Sequence, residues 1–303
     1  MLTKYVSILT AIGLLTGHLL LSTGCSKKNH SSDKIKVVVS ILPLAEFAEK
    51  IGGDFVEVTV LVPAGASPHA YEPKPSQLVQ VSQADVFVKV GTPMEFEVAW
   101  LEKLIALNKK MLVVDASESV SLIISGEIHS HNEDGQSYTE HEMPDPHIWL
   151  SPVNAQIMVE NIYQGLIKVD EAHADIYKQN KNDYIKELKL LDSEISQKLE
   201  NKKRRQFLVY HPAWIYFAHQ YNLNEISIEA GGKSPTAQSL QETIEIAQKN
   251  KIKLVIGSPQ FDRRNVDLIA REIGAKVVLL SPLEKDFLPA MRNFAQILSE
   301  VME

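Results

Sequence analysis

Among 303 residues there is one cysteine, Cys25, so no disulfide can close within the chain. No His-Glu-x-x-His word occurs, which excludes the helical site of many zinc proteases. Positive charge is in deficit, with a formal net charge of -7. That balance argues against a nucleic-acid partner, because such domains need a basic face to neutralise phosphates. A small cationic ligand suits the chain better. No internal repeat is strong enough to imply a solenoid or array. What is present is ordinary for a globular protein: 45% hydrophobic and 23% charged residues, enough for one large core or two lobes.

The amino terminus differs in kind from the rest. Lys4 is its only charge, and an apolar run from Tyr5 to Leu21 leads into Leu-Ser-Thr-Gly-Cys. This reads as a secretion signal over residues 1–24. Cys25 follows a short apolar segment and small residues, a position that resembles a bacterial lipoprotein cleavage site, so its sulfur is expected to carry lipid. An uncleaved membrane anchor is the other reading. Either way the body is expected outside the cytoplasm, tethered to a membrane behind a polar leader at 25–34.

From Ile35 onward, strand and helix patterns alternate. Strands are predicted at 35–40, 56–62, 85–90 and 111–115, with helices at 44–51, 76–82 and 96–107. Two helices follow, at 154–169 and 174–201. The second carries apolar residues at Tyr177, Tyr184, Leu188, Leu191, Ile195 and Leu199, and its length of roughly 40 Å suits a spine between lobes. A second alternation has strands at 206–210, 226–230, 254–257 and 276–280, with helices at 215–221, 236–249 and 265–273. The expected class is therefore α/β: an amino-terminal lobe at 35–153, a helical linker at 154–201 and a carboxyl-terminal lobe at 202–303, each with a mostly parallel sheet.

Three histidines occupy constrained positions. His147 lies in Asp-Pro-His-Ile-Trp-Leu-Ser-Pro, between a proline turn and the Ser151-Pro152 start of a helix, so its imidazole sits on a short, stiff connector. His69 is held in a loop with four prolines, Pro63 to Pro75, and His211 ends a predicted strand. In open alternating sheets, ligands bind outside the carboxyl ends of the strands. If the lobes face each other, three neutral imidazoles converge on one point, a donor set suited to zinc and its first-row neighbours. No obvious carboxylate base accompanies the three segments. Residues 125–143 are polar and without apolar period. His129, His131 and His141 lie there among acidic residues, as an auxiliary metal loop or as a solvated surface loop.

The words Ser-Pro-His69-Ala-Tyr-Glu-Pro-Lys-Pro-Ser, Asp-Pro-His147-Ile-Trp-Leu-Ser-Pro and Tyr-His211-Pro-Ala-Trp resemble, in the same order, the metal-site segments of the zinc- and manganese-binding solute-binding proteins of ABC transporters. The likeness extends through Ser258-Pro-Gln-Phe261 and Ile273-Gly-Ala-Lys-Val277. It implies two lobes joined by one long helix, a metal in the cleft, and His69, His147 and His211 as ligands. It also implies a monomer that serves a membrane permease and its cytoplasmic ATPase. Histidine at 211 favours zinc, where the manganese and iron binders of the family carry glutamate. One departure stands out: the family's aspartate ligand is replaced by Ser281, in Ser281-Pro282-Leu283. The fourth ligand is then water, a carboxylate such as Glu284 or Asp286, or a donor from the loop of His129. Alternatives to a zinc transport receptor are a manganese or iron receptor, a zinc hydrolase and a surface adhesin stabilised by metal.

Overall fold

The computed structural model describes residues 34–124, 143–229 and 235–302. The first lobe is built on β1 (Ile35–Val39), β2 (Val56–Val60), β3 (Val86–Lys89) and β4 (Leu112–Asp115), with α1 (Leu42–Gly52), α2 (Pro75–Ser82) and α3 (Glu95–Leu107) between them. The sheet runs β2-β1-β3-β4 and every pairing is parallel. The central strands read Ile-Lys-Val-Val-Val and Val-Phe-Val-Lys, the near-continuous apolar runs expected where helices cover both faces. Gly91, just past β3, has φ +89°, and a Cβ there would stand 1.8 Å from an Asp115 carboxylate oxygen. Glycine alone fits that turn.

Two long helices follow, α4 (Pro152–Val169) and α5 (Ala174–Leu199). Ser151 caps α4 by accepting from the amide of Asn154, and Pro152 occupies its first turn. The buried side chains of the 26-residue α5 are the six that its apolar stripe predicts, Tyr177 to Leu199. That stripe packs against α1 and α4 on one side and the last helix of the chain on the other.

The second lobe repeats the first. Its elements are β5 (Gln206–Val209), α6 (Ile215–Gln220), β6 (Asn224–Ser227), α7 (Ala237–Lys249), β7 (Leu254–Gly257), α8 (Arg263–Ile273), β8 (Lys276–Leu279) and α9 (Phe287–Val301). The parallel order β6-β5-β7-β8 mirrors that of the first sheet. Strand β5 divides the core between its two faces. Phe207 and Val209 join a large cluster shared with the first lobe, α5 and α9, while Leu208 joins a smaller one under α7 and α8.

Two features differ from the sequence reading. Strand β6 begins two residues early, at Asn224, because it is an edge strand whose polar residues need no buried face. Helix α9 follows what was read as the last element. Pro289 in its first turn looks like a breaker but is tolerated there, and Phe287, Leu288, Met291, Phe294, Ala295 and Leu298 form its buried stripe. The start of α9 is fastened to the first lobe: buried Glu46 on α1 accepts from the amide of Phe287 and, at 2.7 Å, from the hydroxyl of Tyr184 on α5.

Candidate metal centre

Each of the three histidines is delivered by a different part of this scaffold. His69 lies in the irregular segment between β2 and α2, its amide bonded to Ser67 Oγ at 3.3 Å. His147 stands at the head of a short 3-10 turn, Ile148–Leu150. The connector around it is tied at nearly every residue. The Asp145 carbonyl accepts from Tyr216, that of Pro146 from Thr92 and that of Ile148 from Asn154, while Trp149 Nε1 donates to Pro282 O at 2.8 Å. His211 follows β5, and the turn after it is fixed by Glu225, whose carboxylate accepts from the amides of Ala213 and Trp214 at 3.0 and 3.1 Å.

The three rings meet. Centroid separations are 4.7 Å for His69 and His211, 5.3 Å for His147 and His211, and 6.2 Å for His69 and His147. One nitrogen from each ring lies within 4.8 Å of the other two. Tetrahedral zinc with bonds of about 2.0–2.1 Å requires nitrogen separations of roughly 3.3 Å, so small ring rotations suffice to enclose an ion. Phe261 lies against His211 as a stacked ring, 4.8 Å between centroids, and forms an apolar wall. A cavity of about 20 Å³ adjoins the rings, lined also by Trp149, Ser258, Gln260, Pro282 and Leu283.

The sequence shows no obvious carboxylate base beside these segments, yet the structure places a carboxylate on every ring, one of them the Asp145 of the His147 word itself. His69 Nδ1 meets Glu95 at 2.8 Å, His147 Nδ1 meets Asp145 at 3.0 Å and His211 Nδ1 meets Glu229 at 3.3 Å. Asp145 sits two residues from its partner. The other two come from afar: Glu95 is the first residue of α3, and Glu229 lies two beyond Ser227, the residue that pairs with Val209 in the β5–β6 register. That register sets Glu229 level with His211.

With Nδ1 donating to a carboxylate, a neutral imidazole presents a bare Nε2 lone pair. His69 Nε2 and His211 Nε2 are 3.1 Å apart, so a proton or a cation must stand between them. His69 is the better proton carrier. Burial pulls its pKa down, but the hydrogen bond and charge of Glu95, helped by Glu229 and Asp145, outweigh this and hold it above the ordinary histidine value. At His211 burial prevails, reinforced by the two neighbouring imidazoles, and its pKa is held low despite Glu229. The pair is thus set to hold one positive charge that a metal ion would displace.

The other expected site residues are placed differently. Ser281 Oγ accepts from Gln260 Nε2 at 2.9 Å and from the Leu283 amide at 3.1 Å, and it does not line the cavity. Glu284 and Asp286 do not line it either; Asp286 borders a separate groove with Glu46 and Lys285. Cys25, His129, His131 and His141 lie outside the described residues.

Comparison with known proteins shows the family. Residues 37–301 match the family model described as zinc-uptake complex component A, periplasmic. The chain is 31% identical over 273 residues to the zinc-binding lipoprotein AdcA of Streptococcus pneumoniae, an alignment covering 88% of this chain and 53% of that one. It is 32% identical over 255 residues to the high-affinity zinc uptake system protein ZnuA of Bacillus subtilis, covering 83% and 79%. The chain thus spans about half the length of the streptococcal zinc-binding relatives it matches. A crystal structure of ZnuA superimposes with a TM-score of 0.81 at 39% identity, over 89% of this chain and 99% of the other. The match begins inside β1 and ends with α9, taking in both lobes and all three histidines, and the chain belongs to the zinc-uptake complex component A family.

Proposed function

We propose that the protein is the extracytoplasmic receptor of a zinc import system, which captures the ion between its lobes and delivers it to an ABC permease driven by a cytoplasmic ATPase. The observation that carries this reading is the meeting of His69, His147 and His211 at one small cavity, one ring nitrogen from each lying within 4.8 Å of the others. Nitrogen from three imidazoles suits borderline zinc, whereas manganese favours a larger share of carboxylate oxygen. The cavity beside the rings has room for an ion and water, and in this reading a water is the fourth ligand. Ser281 is tied to Gln260, so its hydroxyl orders the cavity wall.

Transport needs capture and release without chemistry, and the site is built for that. Its nearest carboxylates are engaged with imidazole Nδ1 atoms rather than aimed at a substrate, which leaves no general base for a hydrolase beside the rings among the described residues. The lobes are joined by α5, and α9 at the end of the second lobe packs back against it. Lipid on Cys25 would hold the receptor at the outer face of the membrane that contains its permease.

Calorimetric titration with zinc tests the reading. The wild type is expected to bind one ion, and a variant with His69, His147 and His211 all replaced by alanine is expected to lose that binding. Equal affinity in the two proteins would refute the site.

A further inference from the structure

Three neutral imidazoles around a divalent ion leave two positive charges uncompensated in a site where His147 and His211 are buried. Burying an unpaired charge is costly, so negative charge must come from elsewhere. Three carboxylates stand one layer out, one on each Nδ1. Resting on the zinc-receptor reading above, we propose that Glu95, Asp145 and Glu229 are positioning residues that together set the affinity of the site. Each fixes one imidazole with Nε2 toward the ion, and the trio supplies the negative charge that the ligands lack.

The three are held in unequal ways. Asp145 is 5% exposed and accepts from the backbone amide of His147 at 2.8 Å as well as from its ring, so ring and chain are gripped by one carboxylate. Glu229 is 4% exposed, and its amide is bonded to the Tyr210 carbonyl at 2.9 Å, beside the strand that carries His211. Glu95 is different: its side chain is 56% exposed, and it serves the histidine that arrives on an irregular loop. Partial burial of Glu95 itself pushes its carboxyl pKa up, but the hydrogen bond and charge of the His69 ring outweigh this and hold it below the usual value. Field strength falls with solvent screening, so Asp145 and Glu229 should weigh more than Glu95. Two imidazoles are thus held by buried carboxylates, while His69 is held through an exposed one.

Amide and alanine variants separate charge from orientation. Asn at 145 and Gln at 95 or 229 keep an oxygen that can accept from Nδ1 but remove the charge; alanine removes both. Loss of an outer-layer partner commonly costs about 10–100-fold in metal affinity. Asp145→Asn and Glu229→Gln are expected to weaken zinc binding by about 10-fold or more, and Glu95→Gln by several-fold with a faster off-rate. The visible spectrum of the cobalt-loaded protein should stay as in the wild type for the amide variants and change for Glu229→Ala, because only the latter frees its ring. A purely structural role would not produce that split. Glu95→Gln lies on the surface and keeps the test valid if a buried variant fails to fold. Zinc affinities within twofold of wild type for the amide variants would overturn the proposal while the three-histidine site stands; wild-type affinity in the triple-alanine protein would instead overturn the site itself.

Discussion

Replacing Trp149 with phenylalanine isolates the tie between the His147 connector and the turn that closes the cavity from the second lobe. Trp149 is 1% exposed, and its Nε1 donates to the Pro282 carbonyl at 2.8 Å. Phenylalanine keeps an aromatic ring but removes this donor. A buried carbonyl left without a partner costs about 1–3 kcal/mol. The smaller ring forfeits about 1 kcal/mol more in buried apolar surface and residual cavity. The variant should therefore lose about 2–4 kcal/mol, read in urea unfolding as a lower midpoint with an unchanged slope. The His147 ring stands edge-on to the indole at 5.3 Å, so zinc affinity should also fall. A loss under about 1 kcal/mol would show that water takes over from the indole, and that the seam between connector and turn is wet rather than packed.

Two further outcomes concern pH. Imidazoles must be neutral to bind metal, and with His69 held up and His211 held down, His69 protonates before His211 as pH falls. Zinc affinity should drop by about tenfold per pH unit once pH falls below the raised His69 pKa, with one proton released per ion bound there and a steeper fall at lower pH. Calorimetry in buffers of different ionisation heat measures that proton count; a count of zero throughout the fall in affinity would refute the assignment. Glu225 is pushed up to about 8 by burial against the hydrogen bonds from Trp214 and Ala213. Its folded-state pKa lies above the unfolded one, so its contribution is full below about pH 4.5 and is lost as pH rises through about 8. That range corresponds to roughly 5 kcal/mol at full burial, and solvent at this half-buried residue trims it to about 2–3 kcal/mol. Glu225→Gln should remove this decline from the pH dependence of unfolding, and an unchanged profile would show that the carboxyl is charged at neutrality.

The parts that sequence made legible are those with strong local chemistry. Proline turns flank His69 and His147, a strand end presents His211, and the apolar stripe of α5 marks the spine residue by residue. What escaped depends on register and topology. Glu229 comes level with His211 only through the β5–β6 pairing, and Glu95 reaches His69 only because α3 starts above the strand ends. Nothing local marks either glutamate. Helix α9, with a proline in its first turn, was not read, and the start of β6 was placed two residues late because an edge strand allows polar residues. The serine at 281 was visible as a departure from the family, but its partner Gln260 was not, since the two lie at the ends of neighbouring strands.

The central claim is that zinc is held by His69, His147 and His211 through their Nε2 atoms with a single small fourth ligand. Anomalous diffraction at the zinc edge, from crystals of the zinc-loaded protein, tests it most directly. The account predicts one peak between the lobes, with three Nε2 atoms at about 2.0–2.1 Å and one water oxygen in the fourth place. A peak coordinated through Nδ1, or one in which Ser281, Glu284 or Asp286 replaces any of the three histidines, would contradict it.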